Sequence, residues 1–409
     1  MRRFALFSCV VLVAAACDRR PLPKPGDLQG EVAALVPKVE AAAGLKFKQA
    51  PKVATQSQAE VQKFLIDQFA RPAVREDLDA KIAIWKRLGV VPDSVDVIAL
   101  LTRLLTEQVV GFYDPKRKTL YVVEGRAGVE RETVIRHELT HALQDQYVNL
   151  DSIQNIQGDD DRVEAAQAVF EGHATVLMIG NAARTIAWDR ARESIREARA
   201  ANPVFSAAPG FLAEGLLFPY LGGAEFVRTV MGDGVTSAQL LSELPSSTSQ
   251  VLHREKYGPR GNPADVVRIA APAGVPIAYE NSFGEFETRL ALAELLGDVA
   301  LASAAARGHD GDRLAVLRLP SGAGLAWASA WDTALDAEEF AETAAKAFAK
   351  RYGSEVRVAN GRREVIAAGR RVSVRTDKSG TRDIVIIEDL PAAAVAPAIP
   401  ASAVSVTPR

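Results

Sequence analysis

Two of the chain's five histidines fall within HELTHALQDQ, residues 137 to 146, four positions apart with a glutamate after the first. On a helix, residues four apart lie about 40° from each other, one turn up the same face. His137 and His141 can therefore both offer an imidazole nitrogen to one ion, and nitrogen ligands of that borderline softness suit zinc. Glu138 is rotated about 100° from His137, so its carboxylate reaches beside the ion, where a general base for an activated water must stand. Ligand, base, two spacers, ligand is the order that such hydrolytic chemistry needs. The neighbours Val134, Ile135, Leu139, Thr140, Ala142 and Leu143 are uncharged, as the half-buried helix at an active-site floor requires, and Arg136 is the one charge among them.

A catalytic zinc takes a third protein ligand and leaves a place for water. The metzincin continuation needs Gly at 144 and His at 147, and the chain has Gln144 and Tyr147. The other common solution is a glutamate on a following antiparallel helix. EAAQAVFEGHATVLM, residues 164 to 178, offers Glu164 and Glu171. Seven residues apart, they share a face but lie about 10 Å apart along the axis, so they cannot both bind one ion. Glu171 is preferred because VFEGHA resembles the glutamate-ligand segment of gluzincin aminopeptidases, and Gly172 lets a second backbone or a substrate approach. Glu164 stands as the alternative. His173, about 200° from Glu171, reads as a packing or surface residue. Asp145, one turn beyond His141, is spaced to hold an imidazole tautomer or, equally, to face solvent.

Residues 28 to 108 carry helical periodicity around 33–43, 59–70 and 95–105. GFYDPKRKTLYVV, residues 111 to 123, reads as a hairpin turned at Asp114-Pro115. The motif helix is expected at about 129–147, a polar loop at 149–160, and a long apolar helix at about 162–182. The Arg-rich stretch 185–200 reads as a solvated helix face. Residues 205 to 283 read as loop-rich with short helices, and 285 to 306 as helical. DRLAVLRLP and GLAWASAW then read as strands, with a helix opened by Asp336 and three further strands in REVIAAG, RRVSVRT and DIVIIED. The expected fold class is α+β: a mainly helical catalytic domain over 28–310 with a small β-hairpin or sheet, a small α+β module over 311–390, and a disordered Ala/Pro-rich tail over 391–409.

The N-terminus points outward from the cytoplasm. Arg2 and Arg3 precede an apolar run from Phe4 to Ala16, too short to span a bilayer comfortably, and Cys17 follows it. AAAC resembles a bacterial lipobox, so residues 1–17 are expected to be a lipoprotein signal peptide and Cys17 the lipidated residue. PLPKPG, within a Pro-rich tether over 18–27, would hold the domain off the membrane. The remaining cysteine, Cys9, would leave with the signal. The mature chain would then carry no disulfide and rest on its core. A net charge of -2 with no basic stripe argues against nucleic acid as a partner.

Taken together, GFYDPKRKTLYVV, HELTHALQDQ, AVFEGHAT, FPYLGGAEFV (218–227), LPSSTSQVLHREKY (244–257) and AARGHDGDR (305–313) resemble the bacterial HELTHALQDQ-type zinc-metallopeptidase-like lipoproteins of the gluzincin class. The resemblance implies a zincin-like catalytic domain, zinc on His137, His141 and Glu171, and Glu138 as the base. It also implies an edge strand before the motif helix, within Tyr113 to Val123, to which extended substrate could add by β-pairing. His253 and Tyr257 are candidates for polarising a developing oxyanion. The chain departs from the family where His173 stands in place of an aspartate often found after Glu-Gly. The function so implied is hydrolysis of peptide bonds in a peptide or protein substrate by a metallopeptidase tethered to the membrane and facing the periplasm or cell exterior. Two other readings are an envelope assembly or chaperone-like lipoprotein with a structural or vestigial zinc site, and a metal-dependent amidase acting on cell-wall peptide. An intact Glu138 favours hydrolysis, since a purely structural site needs no base.

Overall fold

The structure, a computed structural model, describes residues 28–124, 129–180, 197, 201–359, 361–394 and 399–409. The signal peptide, the tether, Cys17 and the Arg-rich stretch 185–200, save residue 197, lie outside them. The chain is α+β with a large antiparallel sheet. Among the described residues no helix is long and apolar enough to cross a membrane.

The first part of the chain folds as α1 (Leu28–Ala43), β1 (Lys52–Gln56), α2 (Gln58–Phe69), α3 (Pro72–Leu88) and α4 (Val97–Gln108). Ser57 and Glu60 form a reciprocal capping box that starts α2, and Asp96 caps α4. The hairpin is β2 (Gly111–Asp114) and β3 (Thr119–Val123). The short strand β1 pairs in parallel with β3, giving the order β1-β3-β2. The sequence reading did not include β1, and it makes β3 a central strand and leaves β2 on the edge.

The motif helix α5 (Val129–Gln144) is followed by α6 (Leu150–Gln154), which lies in what was expected to be a polar loop, and by α7 (Asp160–Ile179). After α8 (Pro203–Ser206), the stretch expected to be loop-rich instead holds a 23-residue helix, α9 (Gly210–Gly232). Its five glycines and internal Pro219 hide it from propensity, but α7 and α9 close on one another through just these small residues. A Cβ on Gly172 would stand 2.2 Å from the carbonyl carbon of Gly223, and one on Gly223 would stand 2.1 Å from the Ala168 carbonyl oxygen. The two backbones are therefore in contact, and packing gained there offsets glycine's poor helix propensity. Short helices α10 (Ser237–Ser242) and α11 (Thr248–Leu252) come next.

The rest is built on a seven-stranded antiparallel sheet. Its strands are β5 (Ile277–Asn281), β6 (His309–Leu319), β7 (Gly322–Trp331), β8 (Arg357–Ala359), β9 (Arg362–Ala367), β10 (Arg370–Ser379) and β11 (Arg382–Pro391), in the order β5-β6-β7-β11-β10-β9-β8. The helices α12 (Gly284–Leu296), α13 (Val299–Ala306) and α14 (Ala334–Tyr352) belong to the same unit. In β7 the large side chains alternate with alanines. Leu325, Trp327 and Trp331 face Phe340, Ala344 and Phe348 of α14, while Ala326, Ala328 and Ala330 face a two-stranded ribbon on the other side.

That ribbon pairs β4 (Val266–Ile269) with β12 (Val404–Thr407). The tail expected to be disordered thus ends in a strand, because Val404 and the fully buried Ile399 complete the sheet's second apolar face. Contacts also run across the boundary expected at 310. β5 pairs with β6, and Ile84 and Leu88 of α3 and Phe211 of α9 share one core with α14. α14 is capped by the Thr333 hydroxyl, with Asp336 inside its first turn rather than opening it.

Candidate metal centre

Helix α5 has two working faces. Ile135, Leu139, Ala142 and Leu143 pack against Val32, Leu35 and Val39 of α1 and against Leu120 and Val122 of β3. The opposite face presents His137, His141 and Gln144 to α7, which runs beside it with Glu171 buried. The crossing of α7 on α9 fixes where Glu171 stands, since Gly172 is the point of backbone contact.

The three side chains converge. His137 Nε2 lies 3.0 Å and His141 Nε2 3.2 Å from Glu171 Oε2, and the two imidazole nitrogens are 3.0 Å apart. Among the described residues this is the group of histidines and carboxylates placed to hold a metal ion, and all three members are buried. Donor atoms on a tetrahedral zinc with bonds of about 2.0–2.1 Å stand about 3.3 Å apart, so the spacing is close to that of a coordination shell. Glu164, the alternative ligand, is not part of the group. It lies two turns back along α7 and lines a cavity that reaches to Glu171.

The tautomer of His141 follows from its neighbours. Gln144 Nε2 donates to the Phe170 carbonyl at 2.9 Å and to His173 Nδ1 at 3.1 Å, which orients the amide and turns Oε1 toward His141 Nδ1 at 2.9 Å. In its neutral, metal-binding form His141 therefore carries its proton on Nδ1 and turns the Nε2 lone pair toward the other two donors. His173 in turn donates from Nε2 to Ser237 Oγ at 3.0 Å. Burial, and then the charge of His141, hold His173 down at about 4, so it is a neutral member of the relay.

Gln144 thus does what spacing suggested for Asp145. Asp145 instead accepts from Tyr113 Oη at 2.7 Å, Lys118 Nζ at 2.6 Å and the Leu150 amide at 3.0 Å, tying the hairpin to the end of α5. His137 Nδ1 has no hydrogen-bond partner among the described residues. Its ring is flanked by Tyr220 of α9, with centroids 6.2 Å apart.

The electrostatics suit a cation. Burial pulls His141 down, but Glu171 more than offsets this and the imidazole rises to about 9. Burial pushes Glu171 up, yet His141 and His137 bring it down to about 2. The carboxylate is thus ionised across the working range, with two imidazoles directed at it. A metal ion binding there at neutral pH would displace the His141 proton.

Glu138 is buried on the side of α5 facing the edge strand β2. A Cβ on Gly111 would lie 2.7 Å from Val134 Cγ1 and 3.0 Å from the Tyr121 carbonyl oxygen, so glycine lets β2 pack closely on α5, beside Glu138. Next to the triad, a cavity of about 300 Å³ runs between α3, α4, α7, α9 and α12, with Glu171 and Tyr220 in its wall.

The structure does not bring His253 and Tyr257 to this centre. His253 Nε2 donates to Glu285 at 2.6 Å, and Tyr257 Oη donates to the Glu243 carbonyl at 2.7 Å. The two residues were paired only by their four-residue separation. α11 ends at Leu252, His253 is extended, and Arg254–Lys256 is a single 3-10 turn, so that separation does not bring their side chains together on one helix face. Tyr220, which the sequence reading passed over within FPYLGGAEFV, is the tyrosine at the centre.

A family model described as a domain of unknown function, DUF8575, matches residues 276–399. That interval runs from β5 to Ile399 and lies outside the α5–α7 pair that carries the triad. No curated protein and no solved structure matches the chain.

Proposed function

We propose that the chain is a zinc-dependent metallopeptidase of gluzincin type, exported and held to the membrane by lipid on Cys17. The observation that carries this reading is the buried convergence of His137, His141 and Glu171 within 4.8 Å, beside the equally buried Glu138. Two imidazoles and one carboxylate are a borderline, neutralising donor set that favours zinc and leaves room for a further ligand. Zinc bound there supplies Lewis acidity to the scissile carbonyl and to a water molecule.

The protein's own groups do the rest. Glu138 takes the proton from the attacking water and returns it to the leaving amine. The edge of β2 passes beside Glu138 and offers backbone donors and acceptors to an extended peptide, which favours peptide over other acyl substrates. Tyr220, whose ring flanks that of His137, would donate to the carbonyl oxygen as charge develops on it. Gln144 keeps His141 in the tautomer that binds.

The test is zinc content and peptide hydrolysis of purified residues 20–409, as wild type, Glu171→Ala and Glu138→Gln. The reading expects about one zinc per wild-type chain, most of it lost in Glu171→Ala. Glu138→Gln should keep the zinc and lose turnover by at least about 100-fold. A wild type that takes up zinc but hydrolyses nothing in a broad peptide library would instead favour an assembly lipoprotein with a structural site.

A further inference from the structure

The cavity beside the triad is polar at the end away from it. Along α7, Glu171 marks one end and Glu164 lies two turns, about 10 Å, toward the other. Glu287 of α12, Asp160 at the start of α7, and Asp77 and Lys81 of α3 line the same cavity. Lys81 is bound by Asp160 and, at 3.2 Å, by Asp77. Glu164 and Glu287 have neither a hydrogen bond nor an ion pair among the described residues, although both are partly buried. Removal from water comes first, and then nearby carboxylates, in holding both carboxyls well above the usual range. Those neighbours are Asp161 and Asp160 for Glu164, and Glu164 and Asp160 for Glu287.

A second observation points to a ligand. Gln154, 4% exposed, lines the same cavity with its Nε2 donor unpartnered. Between the two ends the wall is mainly apolar, with Leu101, Val163, Leu212 and Leu216, and Gln167 of α7 is the polar residue between Glu164 and Glu171. The space therefore asks for a guest with a polar backbone, an aliphatic stem and a cationic tip. An inorganic ion does not fit, because among the described residues only His137, His141 and Glu171 converge three to a point. The α-ammonium of a substrate does not fit either. It lies two bonds from its own carbonyl carbon, whereas Glu164 is about 10 Å along the helix from Glu171.

We propose that this cavity receives the side chain of a substrate residue next to the scissile bond and selects lysine or arginine, with Glu164 and Glu287 as the acceptors of its cation. The proposal rests on the metallopeptidase reading for the word substrate, but the cation pocket itself can be tested without turnover. A lysine places its ammonium at the end of a flexible four-carbon stem, and arginine reaches as far with a forked donor set. Either would meet carboxyls whose one cationic neighbour in the cavity, Lys81, is already paired with Asp160 and Asp77.

The experiment compares zinc-loaded wild type with Glu164→Gln, Glu287→Gln and the double variant. Each protein is given two peptides that differ only in lysine or Nε-acetyl-lysine at the cleaved position, and the ratio of the two kcat/KM values is read within each protein. The proposal expects a ratio of roughly tenfold or more in the wild type, falling toward one in the double variant and part of the way in each single variant. Equal cleavage of both peptides by the wild type, or a preference that survives the double variant, overturns the pocket and leaves the peptidase reading standing.

If neither peptide is cut, the peptidase reading fails, and binding of Nα-acetyl-lysine methylamide by calorimetry decides the pocket. Binding to the wild type that is lost in the double variant supports it, and no binding to the wild type overturns it.

Discussion

Replacing Gly223 by alanine sets two effects of opposite sign against each other. Alanine is the better helix former, and in the interior of α9 the exchange should gain about 1 kcal/mol on propensity. Against this, the new Cβ would stand 2.1 Å from the Ala168 carbonyl oxygen, 2.8 Å from its carbonyl carbon and 3.0 Å from its Cα. Ordinary contacts begin near 3.4 Å, so α7 and α9 must part by more than 1 Å. All three atoms belong to backbone, and no rotamer change relieves them. Overpacking typically costs about 1–3 kcal/mol and occasionally more, and a clash between helix backbones belongs at the upper end.

The clash should therefore win, by about 2 kcal/mol net, with Tm lower by roughly 2 °C or more. The displacement also carries Glu171, three residues from Ala168 and next to the Gly172 contact, away from His137 and His141, so zinc content should fall with stability. Gly215→Ala is the control in the same helix. A Cβ there meets nothing within 4 Å, and the variant should gain about 0.5–1 kcal/mol and keep its zinc. Thermal unfolding and metal analysis of the two variants side by side decide the matter. If Gly223→Ala matches Gly215→Ala in Tm and zinc, the backbone contact does not set the position of Glu171.

Three further outcomes follow from the same geometry. Gln144→Ala removes the acceptor that holds the His141 proton on Nδ1, and should weaken zinc about 10- to 100-fold in a chelator competition without unfolding the chain. Tyr257→Phe loses one hydrogen bond to the Glu243 carbonyl, so it should cost about 1 kcal/mol in denaturant unfolding while zinc content and turnover stay at wild-type levels. Asp161 is pushed up from 3.8 to about 7, by burial above all, although Thr248 donates to it through both its amide and its hydroxyl. A carboxyl that binds its proton more tightly when folded contributes stability below the unfolded value and loses it as pH rises through the folded value. The stability of the wild type relative to Asp161→Asn should therefore decline between about pH 4 and pH 7 and stay level above that; a flat difference across this window would refute the burial of the charge.

What could be seen in the sequence was what depends on a regular period within one element. The helical spacing of His137 and His141 survives folding because α5 is a continuous helix. The large–small alternation in GLAWASAW and the short β-branched run in DIVIIED mark strands because a sheet covered on both faces takes such patterns. His253 and Tyr257 have the same spacing without a helix to carry it, so spacing alone does not bring them to one site. The choice between Glu171 and Glu164 lay beyond one element. Both sit on one face of α7, and what separates them is the depth at which α7 crosses α5, set by Gly172 against Gly223 on α9.

That same pair of glycines, with Pro219 and the other glycines of α9, makes the segment read as loop. The feature that hides the helix from propensity is the one that lets it pack closely enough to place the ligand. Gln144 was within reach, since it lies on the face of His137 and His141, three residues beyond the latter. Spacing left Asp145 equally suited to hold the tautomer or to face solvent, and it carried no record that Tyr113, Lys118 and the Leu150 amide claim that carboxylate. An amide can do what Asp145 cannot: it accepts from His141 while donating to the Phe170 carbonyl and His173, and so ties one zinc-ligand candidate to the helix that bears the other.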